Sequence, residues 1–310
     1  MKILFIINPK SKRGSSKILR EIIQRKFSSH RIEISHTLYP GHATAIAMQS
    51  TRKKFDTIVA VGGDGTVNEV LNGIVNSDVL LGIIPTGTAN DLASLYQIPS
   101  NIESACNVIL ERHIHQSDLI SVNGRYFVTA GGLGLPAEAI NKANTIKQNN
   151  TVGKLLLKLL GSWIYVLAVL LILSRTQKGR QYVQVHINGN SHVMDTLSLM
   201  IDNQPFLGKN FLMTPEAKND DGLFDICWIK NSKSRMEVFS ILLKVLMGKH
   251  VDLPTVQSWQ AEELFIRSEK ALTFFGDGEK FQEDTQFHIR ILPKALKILV
   301  SVNCEGLIKC

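Results

Sequence analysis

VAVGGDGTVNEVLNG, residues 59–73, carries an apolar run directly into Gly62-Gly63-Asp64-Gly65-Thr66 and then into a helical pattern. Val67, Val70, Leu71 and Ile74 recur at the spacing that gives a helix one apolar face. Glycines at such a strand-to-helix turn let backbone N–H groups approach an anion closely, and the start of the helix adds positive potential. No Gly-Lys-Ser/Thr follows, and the glycines do not fall at G-x-G-x-x-G spacing, so neither of those phosphate motifs applies. A glycine turn also has a purely structural use, since glycine adopts positive φ at no steric cost.

Outward from this turn, strand-like and helix-like segments alternate. KILFII (2–7) precedes a helix from about Ser15; RIEISHTLY (31–39) precedes one through Ala43–Met48; DTIVAV (56–61) leads to the turn itself; VLLGIIP (79–85) precedes a helix over Ile102–Leu110. That order predicts a parallel sheet with helices on both faces and right-handed crossovers. Loops at the carboxyl ends of neighbouring strands then meet in one crevice. Asn8, Lys10, Lys12 and Arg13 of INPKSKRG lie at the end of the first strand, Thr37 at the end of the second, and PTGTANDLA (85–93) after the strand VLLGIIP. Thr88, Asn90 and Asp91 read either as helix caps or as a second phosphate-facing turn. Asp64, among amides directed at phosphate, would be repelled by a nucleotide unless a cation such as Mg2+ bridged the two, an arrangement that kinases use.

Beyond Asp118 the pattern changes. DLISV and RYFVTA flank Asn123-Gly124, and QYVQVHI and TLSLMI follow one another across Asn188-Gly189, a hairpin signature. FDICWI, ELFIRS, ALTFF, QFHIRILP and ALKILV supply further strands. The expected division is an α/β domain over 1–117, with residues 294–310 packing back on it, and an antiparallel β-sandwich over 118–293 with a helix inserted at 152–174. Leu155–Leu173 is interrupted by Lys158 and by Gly161-Ser162, and a spanning helix needs about 20 mostly apolar residues, so a packed or membrane-resting helix is expected. Asp220-Asp221-Gly222 reads as a type I turn or as a hard-cation site. Asp277-Gly278-Glu279 reads as a hairpin tip or as an acidic loop able to accept a proton.

The 310 residues are 44% hydrophobic and 20% charged, ordinary globular proportions, and length alone favours two domains. The net charge of +8 suits an anionic partner. Ala139–Met194 contains no Asp or Glu while holding Lys142, Lys147, Lys154, Lys158, Arg175, Lys178 and Arg180, the composition of a surface facing anionic membrane. The basic residues are not interleaved with stacking aromatics, which excludes an evident nucleic-acid platform. Cys106, Cys227, Cys304 and Cys310 are too scattered for a zinc knuckle or redox dithiol, and Ile3–Ile7 is too short for a signal-peptide core, so a cytoplasmic protein is expected.

NPKSKRG, GGDGTVNEV, PTGTANDLA, PEAKNDDGLFD and DGE, in this order, resemble the diacylglycerol kinase catalytic-domain family, especially its soluble bacterial lipid kinases. The resemblance implies an α/β domain related to the NAD kinase and phosphofructokinase folds, followed by a β-sandwich. It implies ATP contacts from Thr37, Gly62, Gly63, Asp64, Gly65, Thr66, Val67, Asn68 and Thr88, with Asn8 available to phosphate or ribose. Asp64 would help organise a catalytic Mg2+, and Asp91 would join a polar network toward the acceptor. A further Mg2+ would sit at the Asp221 carboxylate with backbone oxygens of Lys218 and Leu223. Glu279 would accept the proton of a lipid hydroxyl, with Asp277 as the alternative. The implied protein is an ATP-dependent lipid kinase, cytoplasmic and peripherally attached to anionic membrane; homodimer formation is left open. Sphingoid-base kinases share the resemblance, NAD kinase shares GGDG, and a non-catalytic lipid or nucleotide sensor is the rival from another class.

Overall fold

The structure, a computed structural model, describes residues 1–11, 16–87, 89–149, 182–208, 211–232 and 234–302. Lys12, Arg13, Thr88 and the helix expected at 152–174 lie outside the described residues. The chain divides into two compact units, Met1–Leu119 together with the segment from Pro293 onward, and Ile120–Leu292.

Unit 1 is built on four parallel strands. β1 (Lys2–Ile7) lies between β2 (Arg31–His36) and β3 (Thr57–Gly62), and β4 (Leu80–Pro85) follows β3. β3 and β4 are buried throughout, and β1 from Ile3 onward, because helices cover both faces of a parallel sheet. Edge strand β2 instead exposes Arg31 and Glu33 between half-buried Ile32 and Ile34, and such charges discourage pairing with another chain. The last part of β15 (Glu279–Leu299) adds a parallel strand beside β4, with Ile298 opposite Leu81.

The helices begin where capping chemistry places them. The Ser16 hydroxyl accepts from Leu19 N at 3.2 Å to start α1 (Lys17–Lys26), which buries Leu19 and Ile23. Asn101 does the same for Ser104 N at 3.1 Å at the head of α5 (Ile102–Glu111). α2 (His42–Thr51) and α3 (Asp64–Ile74) meet at Gly73, where a Cβ would stand 2.5 Å from the Ala47 Cβ, so only glycine permits that approach. A short α4 (Asp91–Leu95) follows β4.

Unit 2 is antiparallel. Asn123-Gly124 joins β5 (Ile114–Val122) to β6 (Arg125–Phe127), Asn188-Gly189 joins β8 (Tyr182–Ile187) to β9 (Asn190–Asp202), and Asp277-Gly278 joins β14 (Glu263–Gly276) to β15. Both residues of each pair have positive φ, as two-residue hairpin turns of the twisted type require. β9 pairs with β8 through its first half and β7 (Ala130–Gly134) through its second, with β12 (Phe224–Lys230) also along it and β13 (Val256–Ala261) beyond. A small hairpin, β10 (Phe206–Leu207) and β11 (Phe211–Leu212), stands apart from this sheet. Successive residues of β9 and β12 serve opposite faces. Leu199, Ile201, Phe224 and Ile226 enter a core fed by strands alone, while Met200, Cys227 and Ile229 enter a second core with Ala137, Ile140, Ile241 and Val245.

Those last four residues belong to helices that the sequence pattern did not suggest, α6 (Leu135–Asn149) and α7 (Arg235–Leu246). α7 carries a readable signal: Ser234 caps Glu237 N, the S-x-x-E spacing of a capping box. Two strand boundaries also differ. ELFIRS and ALTFF are one strand, β14, whose register slips between Arg267 and Leu272. QFHIRILP and ALKILV are likewise one strand, β15, which continues through Pro293 with Lys294 at φ +53.

Candidate active site

In unit 1 the turns after β3 and β4 are tied together by backbone contact and by one carboxylate. A Cβ on Gly63 would stand 3.1 Å from Gly87 Cα, and one on Gly87 would stand 2.4 Å from Gly63 Cα and 2.7 Å from Asn90 Oδ1. Asp64 accepts from Asn90 N at 2.9 Å through one oxygen and from Asp91 N at 2.7 Å through the other. Asn90, held in the left-handed region at φ +52, returns a contact through Oδ1, which accepts from Gly87 N at 3.0 Å. Asp64 is therefore the N-terminal cap of α4, a charge-assisted role distinct from the cation bridge expected of it. Each of its oxygens retains a second lone-pair direction for a cation.

α3 lends a second carboxylate to a neighbour. Glu69 Oε2 accepts from Ala43 N at 3.0 Å at the head of α2, whose N-cap residue, Gly41, has no side chain to offer. α3 itself begins at Gly63 with no side-chain cap. So one helix caps two others while no side chain caps its own start; Gly63 O takes the amides of Thr66 and Val67, and an incoming phosphate would suit the leading amides of Asp64 and Gly65. Asp64 and Gly65 form that first turn, whereas Thr66, Val67 and Asn68 are buried on its inner side.

The other strand ends are drawn to the same turn. Asn8 N donates to Val61 O at 3.0 Å and Asn8 Nδ2 to Thr66 Oγ1 at 3.0 Å. Thr86 N donates to Gly62 O at 2.9 Å, and Thr86 Oγ1 donates to Ser11 Oγ at 2.9 Å. Thr37 N donates to Ile7 O at 2.9 Å, which places its half-buried side chain beside the end of β1. Ser11 and Thr86 were not singled out in sequence as anchors of this network; their contact joins residues 75 positions apart.

In unit 2 the two candidates of the DGE turn have different surroundings. Asp277 Oδ1 accepts from Thr129 N at 2.9 Å, Thr129 Oγ1 at 2.7 Å and Val128 N at 3.1 Å, and Asp277 N donates to Ala130 O at 3.0 Å. Its carboxylate clamps the link between β6 and β7. Glu279 is exposed at the start of β15, opposite Gly276.

The acidic turn is shaped by Asp221, whose Oδ1 accepts from Leu223 N at 3.1 Å, with Gly222 at φ +81. Lys218, Asp220 and Asp221 are exposed. Four residues beyond Asp221, Asp225 has one oxygen bound by Gln260 Nε2 at 3.2 Å and the other buried without a partner. Burial first, then the charges of Asp221 and Glu216, push its carboxyl up to about 6. Directly across the sheet stands Asp202, fully buried, with Thr214 Oγ1 donating to it at 3.2 Å and burial holding its carboxyl well above the usual range. Among the described residues no three His, Cys, Asp or Glu side chains converge as a metal cage. Crowded carboxylates with an orphaned oxygen, beside a turn rich in backbone carbonyls, do suit Mg2+, which keeps much of its water and takes only one or two carboxylates.

A parallel α/β unit with an uncapped helix at linked glycine turns, followed by an antiparallel unit, is the architecture of a kinase of the NAD kinase-like class. The diacylglycerol kinase catalytic domain family matches residues 2–122, and the YegS C-terminal NAD kinase beta sandwich-like domain family matches residues 142–300. The second match spans more than half of the chain, which belongs to that YegS C-terminal domain family, with the diacylglycerol kinase catalytic domain match in front of it. A Bacillus subtilis (strain 168) protein named diacylglycerol kinase is 28% identical over 280 residues, 88% of this chain and 88% of that protein. One of the same name from Staphylococcus aureus (strain bovine RF122 / ET3-1) is 28% identical over 281 residues, 88% of this chain and 84% of the relative. The crystal structure of a diacylglycerol kinase from Bacillus anthracis str. Sterne covers 98% of this chain and 98% of its own at TM-score 0.72 and 23% identity. An NAD kinase from Archaeoglobus fulgidus in complex with ATP covers 100% of this chain and 99% of its own at TM-score 0.55 and 12% identity. These two structural likenesses concern the fold.

Proposed function

We propose that this chain transfers the γ-phosphoryl group of ATP to a hydroxyl of diacylglycerol or a closely related membrane lipid, with Mg2+. The observation that supports the nucleotide half is the N-terminus of α3, which no side chain caps while Asp64 and Glu69 cap α4 and α2, so that the leading amides of Asp64 and Gly65 suit an anionic ligand. The relatives named diacylglycerol kinase, which match most of the chain, support the acceptor class.

In the transfer, the lipid oxygen forms a bond to the γ-phosphorus as the bond from that phosphorus to the β,γ-bridging oxygen breaks and ADP leaves. The hydroxyl proton passes to the Glu279 carboxylate. Asp277 is a poor proton acceptor because the oxygen facing Val128 and Thr129 is already committed to three donors. Asn8, Thr37 and the Gly62–Asn68 turn position the nucleotide, and Asp91 reaches toward the acceptor; Thr88 joins them on the strength of the family resemblance alone. Asp64 would help hold a catalytic Mg2+, and Asp221 with the carbonyls of Lys218 and Leu223 would hold a further one; bound there, the ions would supply charge neutralisation for the phosphates.

The test is transfer of labelled γ-phosphate from ATP to diacylglycerol, monoacylglycerol, phosphatidylglycerol and sphingosine in mixed micelles, with and without Mg2+. Labelled diacylglycerol that disappears in Glu279→Gln and Asp64→Ala is the expected result. Label in sphingosine alone would reassign the acceptor, and bound ATP with no labelled lipid would sink the proposal.

A further inference from the structure

α7 carries apolar residues on two opposite sides, and only one side is buried in unit 2. Val238, Ile241 and Val245 are buried in unit 2. Met236, Phe239, Leu243 and Met247 are exposed, from 37% for Phe239 to 76% for Met236. At 100° per residue these four fall within about 80° of one another on the opposite side of the helix. They run about 16 Å along its axis. The stripe continues past the helix end: Val251 is exposed, and the Leu212 side chain lies 2.6 Å from where a Cβ on Gly248 would stand, which seats the β10–β11 hairpin there. Phe206, paired with Leu212, is exposed on that hairpin.

Six exposed apolar side chains on one continuous strip exceed the scattered exposure usual on a soluble surface and mark a site of interaction. Its charges identify the partner. Over the described residues of 230–252, Lys230, Arg235, Lys244 and Lys249 face Glu237 and Asp252, a balance of four cations to two acids. Glu237 is already taken by the Ser232 hydroxyl and the α7 cap. A protein partner specific for this strip would demand matching acids at fixed places. Methionines, a phenylalanine and a leucine bordered by long lysines and an arginine instead suit a fluid anionic surface, with the apolar side chains at the acyl boundary and the cations among the headgroups.

We infer that the outer face of α7, with Phe206 and Val251, docks on the surface of an anionic lipid bilayer. The inference rests on the proposed lipid acceptor, since an enzyme acting on a water-insoluble substrate must meet it at a membrane. It is independent of the acid-free stretch over Ala139–Met194, most of which lies outside the described residues.

The experiment is sedimentation of the full chain with vesicles of phosphatidylcholine and phosphatidylglycerol. In the triple variant Met236→Gln, Phe239→Gln, Leu243→Gln, the partition coefficient falls at least tenfold, about 1.4 kcal/mol. Phe239 is 37% exposed, so the melting temperature falls somewhat in this variant, whereas Met236→Gln with Met247→Gln, at 76% and 62% exposure, melts like the wild type and still weakens binding. Lys244→Glu with Lys249→Glu weakens binding to the anionic vesicles and leaves the weaker binding to pure phosphatidylcholine unchanged. Wild-type binding by the triple variant overturns the inference, as does an absence of vesicle binding by the wild type. So does a wild-type dimer that the triple variant dissolves, which would make this face a contact between copies. Phosphate transfer in detergent micelles is measured in parallel. A wild type that binds vesicles through α7 but labels no lipid would refute the acceptor proposal and leave the docking surface standing.

Discussion

Replacing Gly87 with alanine tests whether the linked turns of unit 1 form the nucleotide site. Gly87 needs no unusual backbone conformation, so the effect is steric: the new Cβ would meet Gly63 Cα at 2.4 Å and Asn90 Oδ1 at 2.7 Å. Gly63 Cα is backbone and cannot swing aside, and Asn90 Oδ1, a side-chain end, is held by Gly87 N, so the turns must part by about 1 Å, an overpacking that costs about 1–3 kcal/mol. At that separation the bonds from Asn90 N and Asp91 N to Asp64, now 2.9 and 2.7 Å, pass beyond hydrogen-bonding range. Loss of the α4 cap and displacement of the α3 amides should weaken ATP binding roughly 10- to 100-fold, or about 1.4–2.8 kcal/mol. Gly124→Ala is the control. It sits at φ +86 with nothing within 4 Å, so it pays a backbone strain of about 1–2 kcal/mol without touching the turns. Titration of a fluorescent ATP analogue, beside thermal melting, reads both quantities. Two variants of similar stability loss, of which only Gly87→Ala loses ATP affinity, is the expected outcome; Gly87→Ala that binds nucleotide like the wild type would refute the reasoning.

Asp64→Asn keeps an acceptor for one of the two α4 amides but sets an N–H group against the other, and should lower stability by about 1–2 kcal/mol while raising the KM for ATP, measured by melting and steady-state transfer. Asp277 and Glu279 should separate cleanly. Asp277→Ala strips the partners from Val128, Thr129 and the turn and should cost about 2–4 kcal/mol in denaturant unfolding, whereas Glu279→Gln should melt like the wild type while transfer falls roughly 10²–10⁴-fold. Asp202→Asn should show a pH signature. Burial raises the folded-state pKa of Asp202, so the protonated native form is favoured, and stability is lost as pH climbs above the unfolded carboxyl range toward the folded value. The wild type should therefore lose stability relative to the variant by up to about 1.4 kcal/mol per pH unit across that window, and a difference in melting temperature independent of pH would count against it.

What could be read in the sequence was what neighbouring residues decide. ILFII, TIVAV and LLGII are continuous apolar runs because helices cover both faces of their sheet, and that burial leaves a plain mark on composition. Asn123-Gly124 and Asn188-Gly189 announce hairpins because two successive positive φ angles suit few other pairs. α7 escaped because it is apolar on two sides. In α7 the stripe Met236, Phe239, Leu243, Met247 adds to Val238, Ile241, Val245, and the sum has no clear polar face to reveal a period. β14 and β15 were broken in the reading because Ser268–Lys270 and Pro293 look like strand ends, whereas a register slip and one residue at φ +53 carry the strands through.

The roles of the carboxylates were not legible, and the reason is general to sites of this kind. Asp64, Asp277 and Glu279 all stand next to glycine in turn-like sequence, and nothing local separates a clamp from a candidate base. Their partners do, and those lie far off: Asp64 closes on amides 26 and 27 residues away, and Asp277 on amides 148 and 149 residues away. A carboxylate that satisfies several backbone donors gains structure and surrenders basicity, because each bond stabilises the ionised form. In the DGE turn that makes Asp277 the poorer proton acceptor. Asp64 and Glu69 commit oxygens to the amides of α4 and α2, yet the charge of Asp64 stays in the first turn of α3, where a cation must screen it before an anion can settle on that helix end.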